Sequence, residues 1–298
     1  MNHRGHVPVL LQEVLEYADS KREGIYIDGT IGLAGHSLEI LKRNPKAKLV
    51  GLDIDDLALA ETRVKLEPFA GRVELYQADF RYLPELGIDF SAVRALLLDL
   101  GLSSFQLDAP ERGFSFNQDG PLDMRMDLRN KTTAAKIIDT YSEPRLSQLF
   151  LEYGELKQAR RLAREIAARR KVKKIATTSE LRRIIEDVCH WIPQKGKIHP
   201  AAKVFQALRI EINGELEGLG EFLETMVHRL GSGARIVVIS FHSLEDRIVK
   251  HTFARLASAD PGPALLRILT RKPVTPTEEE IAANSRSRPA KLRAAEKV

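Results

Sequence analysis

Cysteine occurs once in the 298 residues, at Cys189, so no internal disulfide framework can form and the chain fits a reducing compartment. No apolar run approaches the roughly 20 residues that a membrane-spanning helix needs. The opening stretch, MNHRGHVPVLLQEV, has no apolar core long enough for a secretory signal. These absences predict a soluble, cytoplasmic protein with no membrane partner. Two nucleotide signatures are also missing. There is no G-x-G-x-x-G fingerprint, which a nicotinamide-dependent enzyme on a layered α/β fold would carry, and no phosphate loop ending in G-K-[ST]. The eight histidines show no zinc spacing with the single cysteine, so no metal is expected.

What is present is ordinary globular composition, 43% hydrophobic and 29% charged, with a net charge of +5. The positive charge is clustered. Residues 157–174, KQARRLAREIAARRKVKK, carry nine Lys or Arg against one Glu, and the tail from Asn284 carries five against one. Two such clusters suit a phosphate-bearing partner as well as they suit two solvated faces.

Strand and helix patterns alternate over residues 25–99. IYID, KLVGLDID, RVELYQAD and VRALLLDLG read as strands, and SLEILKRN and LALAETRVKLEPF as helices. This alternation predicts an α/β fold with a parallel sheet covered on both faces. Punctuated chain at 105–131 and helical patterns up to about Val188 break the pattern. TTSELRRIIEDVCHWI has a helix-start signal at Thr178 or Ser179. VFQALRIEINGELEGLGEFLETMVHRL reads as one long helix, and GSGARIVVISF returns to the strand pattern. The expected organisation is therefore 1–107, a helical insertion at 108–200, and 201–298 ending in an exposed connection and a basic tail. Trp191, the one tryptophan, is expected in the insertion's core, and His199-Pro200 at its rejoining point, as a hinge or at a ligand entrance.

In open α/β sheets ligands sit beyond the carboxyl ends of the strands. The first strand runs into Asp28-Gly29-Thr30-Ile31-Gly32-Leu33-Ala34-Gly35-His36-Ser37, where glycines allow a sharp turn and close approach, and Ser37 can cap the next helix. The second strand carries Asp53, placed to accept from ribose hydroxyls. The third ends in Asp79-Phe80, an acid and a ring suited to adenine, and the fourth in Asp99. Acids at four strand ends behind a glycine loop suit adenosine without phosphates. S-adenosylmethionine is the commonest such cofactor.

Residues 99–127, DLGLSSFQLDAPERGFSFNQDGPLDMRMD, resemble the signature of the RsmH (MraW) family. Further blocks follow in that family's order: HVPVLLQE at 6–13, YIDGTIGLAGHS at 26–37, HPAAKVFQALRIEIN at 199–213, VISFHSLEDRIVK at 238–250 and NSRSRPAKLRAAE at 284–296. The resemblance implies a class I, Rossmann-like methyltransferase sheet with an inserted, RNA-facing all-helical domain. It implies an S-adenosylmethionine-dependent enzyme that methylates N4 of a cytosine in the decoding region of small-subunit (16S) ribosomal RNA. The partners implied are the small subunit and its RNA, not DNA, and a homodimer is compatible with them. Cofactor contacts carry over to Ala34, Gly35, His36, Asp53, Phe80, Asp99 and Gln106. Three positions depart from the family pattern. Ala34 replaces a usual glycine, which is harmless if its φ stays negative; Phe105 replaces proline; and Lys203 replaces arginine.

Transfer to a cytosine amine needs an acceptor near its protons. The [DNS]-P-P-[YF] motif of many amino methyltransferases is absent; Asp99-Leu100-Gly101-Leu102-Ser103-Ser104 stands there instead. In the class I sheet the fifth strand lies beside the fourth, which brings Ser240-Phe241-His242-Ser243 next to that segment. Asp99, Ser104 and His242 are the candidate acceptors, and Phe241 or Phe105 a candidate stacking face. A helix-start role for His242 and a cofactor-only role for Asp99 both stay open. So does a non-catalytic assembly factor on the same fold.

Overall fold

Short apolar runs that stop at an acid or a glycine fix where the first strands begin and end. The computed structural model describes residues 8–194, 197–259 and 262–298, with every side chain among them except that of Ser104. Helix α1 (Leu11–Tyr17) precedes β1 (Gly24–Asp28), α2 (Gly35–Arg43), β2 (Ala47–Asp53), α3 (Asp56–Leu66), β3 (Val73–Gln77) and β4 (Val93–Asp99). Six helices follow among the described residues: α4 (Ser104–Asp108), α5 (Ala134–Thr140), α6 (Glu143–Glu152), α7 (Ala159–Val172), α8 (Thr178–Cys189) and α9 (Pro200–Asn213). The chain then forms α10 (Leu219–Arg229), β5 (Arg235–Ser240), α11 (Ser243–Leu256), β6 (Leu266–Ile268), α12 (Glu278–Ala283) and β7 (Lys291–Lys297).

The described strands make one sheet in the order β3-β2-β1-β4-β5-β7-β6. Neighbours from β3 to β5 pair in parallel, and β7 runs antiparallel to both β5 and β6. This is the Rossmann-like order of the class I sheet. Successive residues of each inner strand face opposite ways. In β4, Leu96 and Leu98 enter a core with Leu223, Met226 and Phe253 of α10 and α11. Ala95 and Leu97 enter another with Leu15 of α1 and Ile40 of α2. With both faces covered, the inner strands have to be apolar throughout, as a mainly parallel sheet requires. The strand order reverses between β1 and β4, so the ends of these two strands flank the crevice where such sheets hold ligands.

By contact the chain divides into two units, Met1–Gly101 with Leu216–Val298, and Leu102–Glu215. The positions 108 and 200 read from turn punctuation both fall inside the second unit. Its core takes Leu107 from α4 and Val204, Phe205 and Leu208 from α9, around Phe150, Leu162, Ile166, Leu181 and Ile185. Trp191 stays half-buried, tilted against the His199 ring at 4.9 Å, and does not join that core. Helix α7 buries Leu162, Ala163 and Ile166 and exposes Arg160, Arg161, Arg164 and Lys171, while Arg170 donates to the Ile138 carbonyl at 2.6 Å.

Four sequence readings are revised. The basic tail is an interior strand: Leu292, Arg293, Ala294 and Ala295 are buried in β7, and Arg293 is neutralised by Asp246 at 2.6 Å. The connection before it is largely exposed, as expected, but is not irregular, since Thr277 caps α12 and Glu280 accepts from the Leu10 N–H at 2.8 Å. The long helix over 204–230 is broken into α9 and α10, because Gly214 and Gly218 adopt left-handed φ of 58° and 66°. The α8 cap is Thr177, whose capping box with Glu180 sets the start one residue before the expected signal.

Candidate active site

The loop after β1 is held by its neighbours' side chains. Gly32 N–H donates to Asp53 Oδ2 at 2.8 Å, and its carbonyl accepts from Thr62 Oγ1 at 2.5 Å. Asp53 Oδ1 accepts from Asp55 N–H at 2.8 Å. Both Asp53 oxygens thus take backbone donors, and the Ile54 N–H adds to them. Burial, partly offset by these hydrogen bonds, pushes this carboxyl up to about 6. A Cβ on Gly29 would fall 2.6 Å from Leu98 Cδ2, and one on Gly35 2.5 Å from Pro8 Cγ, so both positions need a bare backbone.

Two expectations about this loop are overturned. Ala34 sits at φ 57°, in the left-handed region, and not at a negative φ. The chain requires that angle to turn from Ile31 into α2, and an L-residue there costs about 1–2 kcal/mol. Ser37 does not cap α2. The helix starts earlier, at Gly35, and Ser37 Oγ donates to Asp28 Oδ2 at 2.6 Å. Burial pushes the Asp28 carboxyl up to about 6, against the pull of Ser37.

Asp99, at the end of β4, has the most open chemistry. Its backbone N–H donates to Thr30 Oγ1 at 2.7 Å. Its Oδ2 lies 3.5 Å from His36 Nε2, and its Oδ1 is buried without a hydrogen-bond partner among the described residues. Phe80 opens the turn after β3, with its ring edge-to-face on Phe222 at 4.9 Å. Asp79 beside it is spoken for by Arg81, which it binds through both oxygens at 2.7 and 2.5 Å. The same Arg81 guanidinium lies 5.6 Å from the centre of the Phe80 ring.

Strand β5 aligns Ile239 with Asp99, and Gly101 lacks the Cβ that would approach Phe241 Cδ2 to 3.3 Å. His242 is the N-cap of α11. Its Nδ1 accepts from Glu245 N–H at 3.4 Å, and its Nε2 lies 3.2 Å from Glu245 Oε1. Glu245 Oε2 in turn accepts from the Phe241 and His242 N–H groups. Both ring nitrogens therefore face the first turn of α11. Ser104 and Gln106 belong to the helical unit. Ser104 opens α4, and its side chain lies outside the described groups. Gln106 is buried and closes a capping box with Ser103.

Thr30, Thr62 and Glu245 were missed from the sequence. Only Glu245 left a signal there, as the fourth residue of a capping pattern with histidine in place of Ser or Thr. The first unit thus gathers Asp28, Asp53 and Asp99 around a loop whose residues 29–37 include no Lys or Arg. The set fits a ribose-bearing ligand with positive charge, and the part-exposed Asp99 carboxyl gives it an acceptor.

A sequence model described as the MraW methylase family matches residues 3–298. A Carboxydothermus hydrogenoformans protein named ribosomal RNA small subunit methyltransferase H is 46% identical over 314 residues, covering 98% of each chain. A protein of the same name from Sulfurihydrogenibium azorense is 45% identical over 295 residues, covering 98% of this chain and 99% of the relative.

Proposed function

The chain belongs to the MraW methylase family, and on that basis we propose that it methylates N4 of a cytosine in the decoding region of small-subunit (16S) ribosomal RNA, with S-adenosylmethionine as methyl donor. The observation that carries the chemistry is the part-exposed Asp99 carboxyl at the point where the strand order reverses. Bound S-adenosylmethionine supplies an electrophilic methyl group on a sulfonium centre. The rest is the work of the chain's own residues. Asp53 accepts from the ribose hydroxyls, Ala34 and Gly35 present backbone at the loop, and Phe80 offers a ring to the adenine. Asp28, Asp53 and Asp99 together favour a cationic ligand.

The cytosine amine is a poor nucleophile because its lone pair is delocalised into the ring. The Asp99 carboxyl accepts from that amine and takes its proton as the new C–N bond forms. His242 serves this site through α11, whose first turn it caps. Ser104 and Gln106 keep their assigned roles on the resemblance alone. The helical unit is the RNA-facing part, with Lys157, Arg160, Arg161, Lys171 and Lys174 of the α7 region exposed to meet phosphates. The substrate surface is a small ribosomal subunit, and the working compartment is the cytoplasm.

Labelled methyl donor, incubated with small subunits that lack the mark, tests the proposal. Label in small-subunit RNA, with S-adenosylhomocysteine bound tightly and NAD weakly, supports it. Label on protein or on large-subunit RNA alone rejects it.

A further inference from the structure

The helical unit carries an aromatic ladder that ends at the chain's single tryptophan and that the proposed chemistry does not use. Phe205 of α9 is buried in the core. Phe116 meets it edge-to-face at 5.7 Å, and the His199 ring stacks on Phe116 at 5.1 Å and 24°. Trp191 follows, tilted on His199 at 4.9 Å and half-buried. Both nitrogens of the His199 ring are held. Nδ1 accepts from the Ala201 N–H at 3.0 Å, so the ring proton sits on Nε2, which donates to Glu186 Oε1 at 3.1 Å. The Trp191 backbone N–H donates to the Glu186 carbonyl at 3.1 Å, behind the left-handed His190 that ends α8. The indole is thus set in place before any ligand arrives, and little side-chain freedom is left to lose on binding.

Ile192 follows Trp191 in the chain and Ile198 precedes His199, each 69% exposed. Large apolar groups gathered at a surface mark a contact site, and the charges around them select the partner. Glu186 is taken by Arg182 and His199, and Asp187 by Arg169. The cations left over have no acid partner among the described residues: Lys197 and Arg161 are both exposed. Burial raises the Cys189 thiol while the Arg161 charge opposes it, so that guanidinium lies near the end of α8, two positions before Trp191. A flat apolar ring among cations matches a base with its phosphates, the combination that unpaired RNA presents. A duplex keeps its base faces in the stack and has none to offer. We propose that Trp191 is a stacking platform for an unpaired base of the small-subunit RNA, with Arg161 and Lys197 meeting the adjoining phosphates. The platform rests on the reading of the helical unit as the RNA-facing part.

The chain has no other tryptophan, so its fluorescence reads this position directly. A short single-stranded RNA of mixed sequence should quench the emission, and the same strand annealed to its complement should not. In the full chain, Trp191→Ala should weaken binding to small subunits by about fivefold or more. The slope of log affinity against log salt, the affinity for S-adenosylhomocysteine and the thermal midpoint should stay as in the wild type, because a base face and not a phosphate is lost. Trp191→Phe, which keeps a ring, should recover most of the binding. Wild-type binding by Trp191→Ala overturns the platform and leaves the RNA reading standing. A wild-type protein that binds neither small subunits nor RNA overturns that reading as well. Weaker binding by Trp191→Ala, with no quenching by single-stranded RNA, assigns the ring to a protein surface of the subunit and overturns the base. A lowered thermal midpoint, with equal loss of binding in Trp191→Phe, reduces Trp191 to a packing residue.

Discussion

At the scale of single residues, the site's acids set opposite pH dependences for stability and for binding. Asp28 and Asp53 are both pushed up to about 6 by burial. Their folded values lie above the ordinary carboxyl value, so the folded state holds protons that the unfolded chain has released between about pH 4 and 6. Stability of the ligand-free protein therefore falls as pH rises through that window and levels off above it, so far as these two groups decide it. Cofactor affinity runs the other way. A carboxylate that must be ionised to bind loses up to about tenfold in affinity per pH unit below its folded value. Calorimetry with S-adenosylhomocysteine should show affinity dropping below about pH 6, and thermal melts of the free protein should show the reverse trend. The acids at strand ends were legible because residue type and strand position alone place them. The Ser37–Asp28 bond and the left-handed Ala34 were not, because both follow from backbone angles that the residue types do not dictate.

At the scale of elements, the least legible part was β7. KLRAAEK looks like a charged tail, and its pairing with β5 and β6 depends on strands distant in sequence or too short to announce themselves. The structure buries Arg293 against α11 and neutralises it with Asp246, which Lys291 also approaches at 3.4 Å. Burial raises the Asp246 carboxyl, but the Arg293 hydrogen bond and charge outweigh it and the net shift is downward. Removing the acid strands a buried guanidinium, so Asp246→Ala should cost about 3–5 kcal/mol in chemical denaturation. A loss below about 1 kcal/mol would mean that Arg293 reaches water in the variant. The early strands were legible for the converse reason, since each is a local apolar run with its stop signal attached. Helices α9 and α10 were fused on paper because a glycine inside a periodic pattern reads as tolerated until its φ is known.

At the scale of the whole molecule, two units from one chain are proposed to divide the labour: the sheet unit handles the methyl donor and the helical unit meets RNA. The sequence showed that two parts exist, because strand alternation stops after Asp99 and resumes before Arg235. It left the limits of the helical part to tertiary contacts that no local signal marks. The α7 region separates paired from exposed charge. Arg169 is taken by Glu165 and Asp187, and Lys173 by Glu180, whereas Arg160 and Arg161 are exposed. Arg160→Ala with Arg161→Ala should weaken binding to small subunits and reduce the slope of log affinity against log salt by about 0.7–0.9 per lost phosphate contact. Cofactor affinity should not change. An unaltered slope would assign α7 to the solvated surface. The most direct test of the proposed chemistry is nucleoside mass spectrometry of small-subunit RNA after reaction with deuterated methyl donor. The predicted result is label in N4-methylcytidine at a single position. Label on C5 of cytosine, on a ribose oxygen, or nowhere in that RNA would contradict it.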